Sequence, residues 1–125
     1  MLELNIFVFY LLWIFLLHTI ADFVFQTRWM AENKSKNMAA LFYHIMEYTF
    51  VIFLGITIIM GIKFGLIYSI INGIIHLITD FITSKISSYA YKSNKNKLFW
   101  TMIGFDQLIH ISSLLITLAI LTNIL

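Results

Sequence analysis

Residues 4–25 read LNIFVFYLLWIFLLHTIADFVF, an apolar run that contains few polar side chains. The run is long enough for the roughly 20 residues that a membrane-spanning helix needs. It lacks the strict alternation of apolar and polar residues that is typical of a strand. It also exceeds the apolar segment of a signal peptide, about 7–15 residues, and Glu3 stands where a basic flank belongs. We therefore predict that it forms a transmembrane helix.

Three further apolar runs follow, at about 38–60, 64–84 and 98–125. The connection at 61–63 is so short that the second and third helices should form an antiparallel hairpin. Hydrophobic residues make up 61% of the 125 residues and charged residues 11%, against about 25% charged in soluble domains. A soluble chain of this length could not bury that much apolar surface. The sequence predicts a single domain, an all-α polytopic four-helix bundle in the lipid bilayer.

The charge pattern predicts how the bundle is oriented. The polar stretches at 26–37 and 89–97 contain most of the basic residues, whereas the opposite side has only Lys63. By the positive-inside rule both stretches are cytoplasmic, which places both termini outside the inner or plasma membrane. Trp29 and Trp100 flank the same stretches, as interfacial aromatic residues do.

The net charge and the absence of cysteine exclude several classes of function. The formal net charge of +2 is too small to indicate a nucleic-acid binder, and no nucleic-acid partner is expected. The lysine cluster at 92–97 fits topology and contact with anionic lipid; a phosphate or nucleic-acid patch is the alternative interpretation. The chain has no cysteine, which excludes disulfides, thiolate ligands and thiol nucleophiles.

Every aspartate in the chain lies four residues from a histidine, and the fourth histidine, His44, has Glu47 and Tyr48 three and four residues on. Residues three or four apart share one face of a helix. Because successive helices alternate in direction, all these polar faces should meet at one depth, in the cytoplasmic half of the bundle. The three pairs are His18/Asp22, His76/Asp80 and Asp106/His110.

Such residues are costly inside a membrane, about 2.5–3.5 kcal/mol for one central aspartate. Imidazole and carboxylate ligands suit zinc, manganese or iron, as one ion or as two ions that share a bridging carboxylate. Two alternatives remain: interhelical hydrogen bonds worth about 0.6 kcal/mol each, or a proton or ion relay. The predicted metal ligands are His18, Asp22, His44, His76, Asp80, Asp106 and His110. The predicted supporting or substrate-binding residues are Gln26, Glu47, Tyr48, Asn72, Gln107, Arg28 and Lys34.

Four segments together resemble a known family. They are HTIADFVFQ at 18–26, His44 with Tyr48, HLITD at 76–80 and FDQLIH at 105–110. The combination resembles DUF3307, an uncharacterised integral-membrane family of bacteria and phages, over essentially the whole chain. Met30 and Lys34 also fit the stretch that follows the first motif. The H-x-x-x-D pattern more distantly resembles membrane-bound metal-dependent hydrolases, and that resemblance implies a hydrolase.

Three functional hypotheses follow. The first is a metal-dependent hydrolase of an ester or phosphoester in a lipid or membrane-proximal substrate, with Asp80 or Asp106 as general base. Arg28 and the nearby lysines would attract an anionic headgroup. The second is an ion- or proton-binding transporter or channel subunit. It requires an oligomer and polar residues in the outer half of the membrane, where the sequence has few. The third is a structural or regulatory membrane subunit with a polar packing core.

Overall fold

The computed structural model describes residues 2–125, with side chains from Glu3 onward, and no strand occurs in that range. Four long helices pack as a bundle, and a short helix lies in the first connecting segment. This confirms the predicted all-α four-helix bundle. The elements are α1 (Leu2–Thr19), which continues into a π-helical turn (Ile20–Val24), then α2 (Arg28–Asn33), α3 (Met38–Met60), α4 (Ile62–Lys92) and α5 (Asn96–Ile124).

The four long helices are apolar enough to cross a membrane. The segments that qualify by length and composition are Glu3–Val24, Met38–Met60, Ile62–Lys92 and Asn96–Ile124. Their outward faces carry large exposed apolar side chains, which suits contact with lipid tails rather than water. Examples from the four helices are Leu12, Phe50, Ile78 and Ile116.

Local residues explain where the helices begin and end. The Thr27 hydroxyl accepts from the Met30 amide and caps α2, and the Asn37 side chain caps α3 in the same way. Gly61 joins α3 to α4 with φ 85°, a conformation that glycine adopts without steric cost. Asn94 has φ 54° in the short turn between α4 and α5, and asparagine tolerates this region better than most residues.

Helix α4 extends well beyond the predicted apolar span of 64–84 and ends only at Lys92. The segment after Ser84 contains no glycine or proline to interrupt it, so the helix continues although its hydropathy falls. His76 and Asp80 consequently lie near the middle of α4. The polar stretch before α3 also differs from an irregular loop, because it contains α2.

Helices α3 and α4 approach closely along their length. A Cβ atom at Gly73 would collide with the Thr49 side chain, and one at Gly65 would collide with the side chain and backbone of Thr57. Glycine at these positions therefore allows the two backbones to come together. The apolar core fills the end of the bundle nearest Gly61, and consists mainly of Ile14, Leu17, Ile52, Ile56, Phe64, Tyr68, Leu114 and Leu121.

Candidate metal centre

All four long helical segments contribute ionisable side chains to one buried layer beside the apolar core. The three aspartates and four histidines are each at most 9% exposed. The pattern read from the sequence thus brings together residues that are up to 92 positions apart in the chain. The members of this layer, called the His/Asp cluster below, are His18, Asp22, His44, His76, Asp80, Asp106 and His110.

The π-helical turn positions Asp22. The Phe25 amide donates to the Ile20 carbonyl at 3.0 Å, which is the wider hydrogen-bonding step of a π turn. The turn places Asp22 Oδ1 3.1 Å from His44 Nε2 on α3. Asp22 Oδ2 lies 3.8 Å from His18 Nε2 on the preceding turn of the same helical segment. Asp22 therefore has a closer partner across the bundle than on its own helix.

Asp80 lies between several cationic and imidazole groups. Its Oδ1 is 3.2 Å from His110 Nε2 on α5. Its Oδ2 is 3.3 Å from His44 Nε2 and 3.6 Å from His76 Nε2. The same Oδ2 accepts a hydrogen bond of 2.7 Å from the Lys34 ammonium. Asp80 therefore connects α3, α4, α5 and the segment after α2.

Aromatic stacking fixes the orientation of His76. Its ring stacks on Tyr48 at a centroid distance of 3.8 Å and on His110 at 3.9 Å. Its Nε2 lies 3.2 Å from His44 Nε2. This contact is a hydrogen bond if one ring carries its proton on Nε2 and the other presents a lone pair there; if both present lone pairs, a cation would have to lie between them.

The three rings of His44, His76 and His110 all direct Nε2 into the cluster. Their Nδ1 atoms are buried and have no hydrogen-bond partner among residues 2–125. Asp22 Oδ1 likewise lacks a hydrogen bond within the described residues. Asp22 Oδ1 is thus an unpartnered oxygen within the cluster, whereas the unpartnered Nδ1 atoms lie on the opposite side of each ring from Nε2.

Gln107 links His18 to two aspartates of the cluster. The Gln107 side chain donates to Asp22 Oδ2 at 2.9 Å and to Asp106 Oδ2 at 3.1 Å. Its oxygen accepts from His18 Nε2 at 2.9 Å, and the Tyr48 hydroxyl lies 3.5 Å from His18 Nδ1. Both ring nitrogens of His18 are thus engaged, and its position is that of a residue that orients Gln107.

Asp106 is the most accessible aspartate, with 12% of its side chain exposed. Its Oδ1 accepts a short hydrogen bond from the Thr83 hydroxyl and lies 3.4 Å from His110 Nε2. Thr83 was not predicted as part of the site. Its position three residues after Asp80 and seven after His76, on one helix face, is the sequence signal that could have identified it.

The other predicted residues lie at varying distances from this centre. Asn72 lies one helical turn before His76 on α4. Its amide nitrogen donates to the Tyr68 carbonyl at 2.9 Å, and its oxygen lies 3.5 Å from the Thr117 hydroxyl. Gln26 donates to the Asp22 backbone carbonyl at 2.7 Å, and one Glu47 carboxylate oxygen is buried without a hydrogen-bond partner in the described structure.

Arg28 lies at the surface of the first connecting segment. Its side chain is 90% exposed, and its Nε donates to the Glu32 carboxylate at 2.6 Å. This hydrogen bond raises the pKa of the Arg28 guanidinium above its ordinary value. Arg28 is therefore paired with α2 and contributes no hydrogen bond to the His/Asp cluster in this structure.

The donor atoms are spaced as ligands of one ion would be. Two atoms each about 2.05 Å from a zinc ion at the tetrahedral angle lie about 3.3 Å apart. The histidine-to-carboxylate distances of the cluster span 3.1 to 3.8 Å. Within residues 2–125, three groups of donor atoms are close enough to share an ion: Asp22/His44/His76, His76/Asp80/His110 and Asp22/Asp106/His110.

A buried polar face of α4 continues in both directions from the cluster. It runs from Ser69 to Ser87, a rise of about 27 Å at 1.5 Å per residue, and Asn72 and Thr79 lie on it. The sequence suggested few polar residues in the half of the bundle that holds the apolar core. Ser69, Asn72 and Thr117 nevertheless lie buried there.

Comparison with known proteins agrees with these motifs. No curated protein and no solved structure matches the chain. A family model described as "Protein of unknown function (DUF3307)" matches residues 8–125, which contain the whole His/Asp cluster and all but the first six residues of α1. The chain therefore belongs to the DUF3307 family.

Proposed function

We propose that this protein binds a divalent metal ion in the His/Asp cluster and uses it to hydrolyse an ester or phosphoester at the membrane. One observation carries the proposal. Nε2 nitrogens from three histidines and oxygens from three aspartates converge at ligand-to-ligand spacing within a layer shielded from solvent. Interhelical packing alone does not require three imidazole rings to direct the same nitrogen toward one centre.

Asp22, His44 and His76 form the group best suited to hold the ion. Asp22 Oδ1 has no hydrogen bond, and the His44 and His76 nitrogens face it at 3.1 and 3.5 Å. Asp80 and His110 extend the donor set toward α5. A divalent ion bound there would lower the pKa of a coordinated water to about 7 and polarise the scissile group.

Asp106 is the better candidate of the two predicted general bases. Asp80 is surrounded by Lys34 and three histidines, whereas Asp106 is the most accessible of the three aspartates. Thr83 and Gln107 hold the Asp106 carboxylate in place. A positioned carboxylate with access to water can accept a proton from an attacking water molecule. An anionic substrate would approach from the side of the basic connecting segments.

Elemental analysis of protein purified in mild detergent tests the metal proposal. Wild type should retain a divalent metal, whereas His76→Ala and Asp106→Asn should retain much less. Glu32→Gln is the matched control, because Glu32 is an exposed carboxylate paired with Arg28. Sub-stoichiometric metal in wild type, even after reconstitution with zinc, manganese or iron, would contradict the proposal.

Hydrolysis is tested separately on the metal-loaded protein. Chromogenic phosphodiesters, short-chain esters and anionic phospholipid vesicles provide the substrate panel. Turnover should disappear with a chelator, and turnover per bound metal ion should fall at least tenfold in Asp106→Asn. If metal binds stoichiometrically and no substrate turns over, the hydrolase assignment fails while the metal site stands.

The polar face of α4 supports a second candidate, an ion-binding transporter or channel subunit. Its length of about 27 Å approaches the hydrocarbon thickness of about 30 Å. Reconstituted vesicles that contain a metal-sensitive dye test this alternative. Metal entry that Asn72→Leu abolishes would favour transport, and vesicles that stay impermeable would exclude it.

A further inference from the structure

Lys34 brings a positive charge into the His/Asp cluster from outside the long helices. It follows α2, and its ammonium nitrogen reaches Asp80 Oδ2 at 2.7 Å. Only 16% of the Lys34 side chain remains exposed, whereas the nearby Lys36 is exposed. The lysine therefore belongs to the buried layer rather than to the basic surface of the connecting segments.

The charges of the layer limit how many ions it can hold. Histidine ligands must be neutral to coordinate a metal, so the three ionised aspartates carry the negative charge. One divalent ion and the Lys34 ammonium together neutralise it. Two divalent ions beside the ammonium would leave two uncompensated positive charges, which is strongly unfavourable in a buried site.

Lys34 also occupies the oxygen that a bridging carboxylate would need. Asp80 Oδ1 faces His110, and Asp80 Oδ2 faces His44 and His76. Asp80 is thus placed to bridge two ions through its two oxygens. The Lys34 ammonium binds Oδ2 on the side toward α2 and competes with an ion for that atom.

We propose that the Lys34 ammonium serves as the second cation of the cluster and restricts it to one divalent ion. This inference rests on the proposed metal function. Lys34 competes with a second metal ion for Asp80 Oδ2 and so determines the metal stoichiometry. It has no contact with substrate in this inference. Removing its charge leaves Asp80 free to bridge, and a second ion then changes the residual charge of the layer from one negative to one positive.

The test is metal stoichiometry in detergent, measured by elemental analysis after zinc or manganese loading and buffer exchange. Wild type and Lys34→Arg should bind one ion per chain, and Lys34→Met should bind two. Lys36→Met is the matched control and should bind one. Lys34→Met that binds one ion or fewer, while remaining monodisperse and helical, would overturn the inference.

Wild-type stoichiometry tests the same inference without relying on a variant that has to fold. Two ions per wild-type chain would overturn the role of Lys34 and leave the metal proposal intact. No ion in wild type would overturn the metal proposal itself.

Discussion

The Thr83 hydroxyl provides a direct test of whether the His/Asp cluster is organised for an ion. Thr83→Val replaces the hydroxyl by a methyl group of similar size and removes the hydrogen bond to Asp106 Oδ1. The Gln107 bond to the other oxygen remains. We expect the metal affinity to fall about 10- to 100-fold, the range found when the groups that orient metal ligands are removed.

The structure gives this magnitude an independent basis. A hydrogen bond to a charged group contributes about 1.5–3 kcal/mol, and tenfold in affinity corresponds to about 1.4 kcal/mol. Thr83 is buried, so water cannot readily replace its hydroxyl. The hydroxyl also donates to the Thr79 carbonyl within α4. Because both bonds share one proton, we expect the loss of metal affinity to lie toward the lower end of this range.

The assay is competition between the protein and a chromophoric chelator for zinc or manganese, in detergent at fixed pH. Thr101→Val is the control, since Thr101 is an exposed threonine near the start of α5. Equal affinities in wild type and Thr83→Val would refute the reasoning, because Asp106 would then not depend on Thr83. A weaker affinity in both variants would point to a general effect of valine.

Three other predictions test stability, packing and orientation. Chelation of the metal should lower the unfolding midpoint in a thermal scan. The loss is about 2.7 kcal/mol if free metal had been about 100-fold above its dissociation constant, and an unchanged midpoint would argue against a structural contribution. Gly73→Ala should destabilise the bundle by about 1–3 kcal/mol because its Cβ collides with the Thr49 side chain, whereas Gly104→Ala, whose Cβ meets nothing within 4 Å, should not. A reporter fused after Leu125 should lie outside the cytoplasm, and a cytoplasmic signal would reverse the predicted orientation.

The helices and the convergence of polar residues could be predicted because both depend on local periodicity. Apolar runs of about 20 residues determine where spans occur, and the four-residue spacing determines which side chains share a face. The pairing within the cluster could not be predicted in this way. His44 contacts Asp22 and Asp80 on other helices at shorter distances than His18 contacts Asp22 on its own.

The long-range contacts of Asp22 and Lys34 could not be predicted from local spacing. The π-helical turn redirects Asp22 toward α3, although its sequence IADFV contains no proline or glycine that would indicate an irregular helix. Lys34 was predicted as a supporting or substrate-binding residue, but local spacing does not show that the return of the chain after α2 brings its ammonium onto Asp80. Local spacing therefore supplies the three negative charges of the cluster, and long-range contacts supply the fixed positive one. In the proposed metal centre this balance would limit the number of ions, so the stoichiometry would depend on Lys34, which lies outside the four long helices.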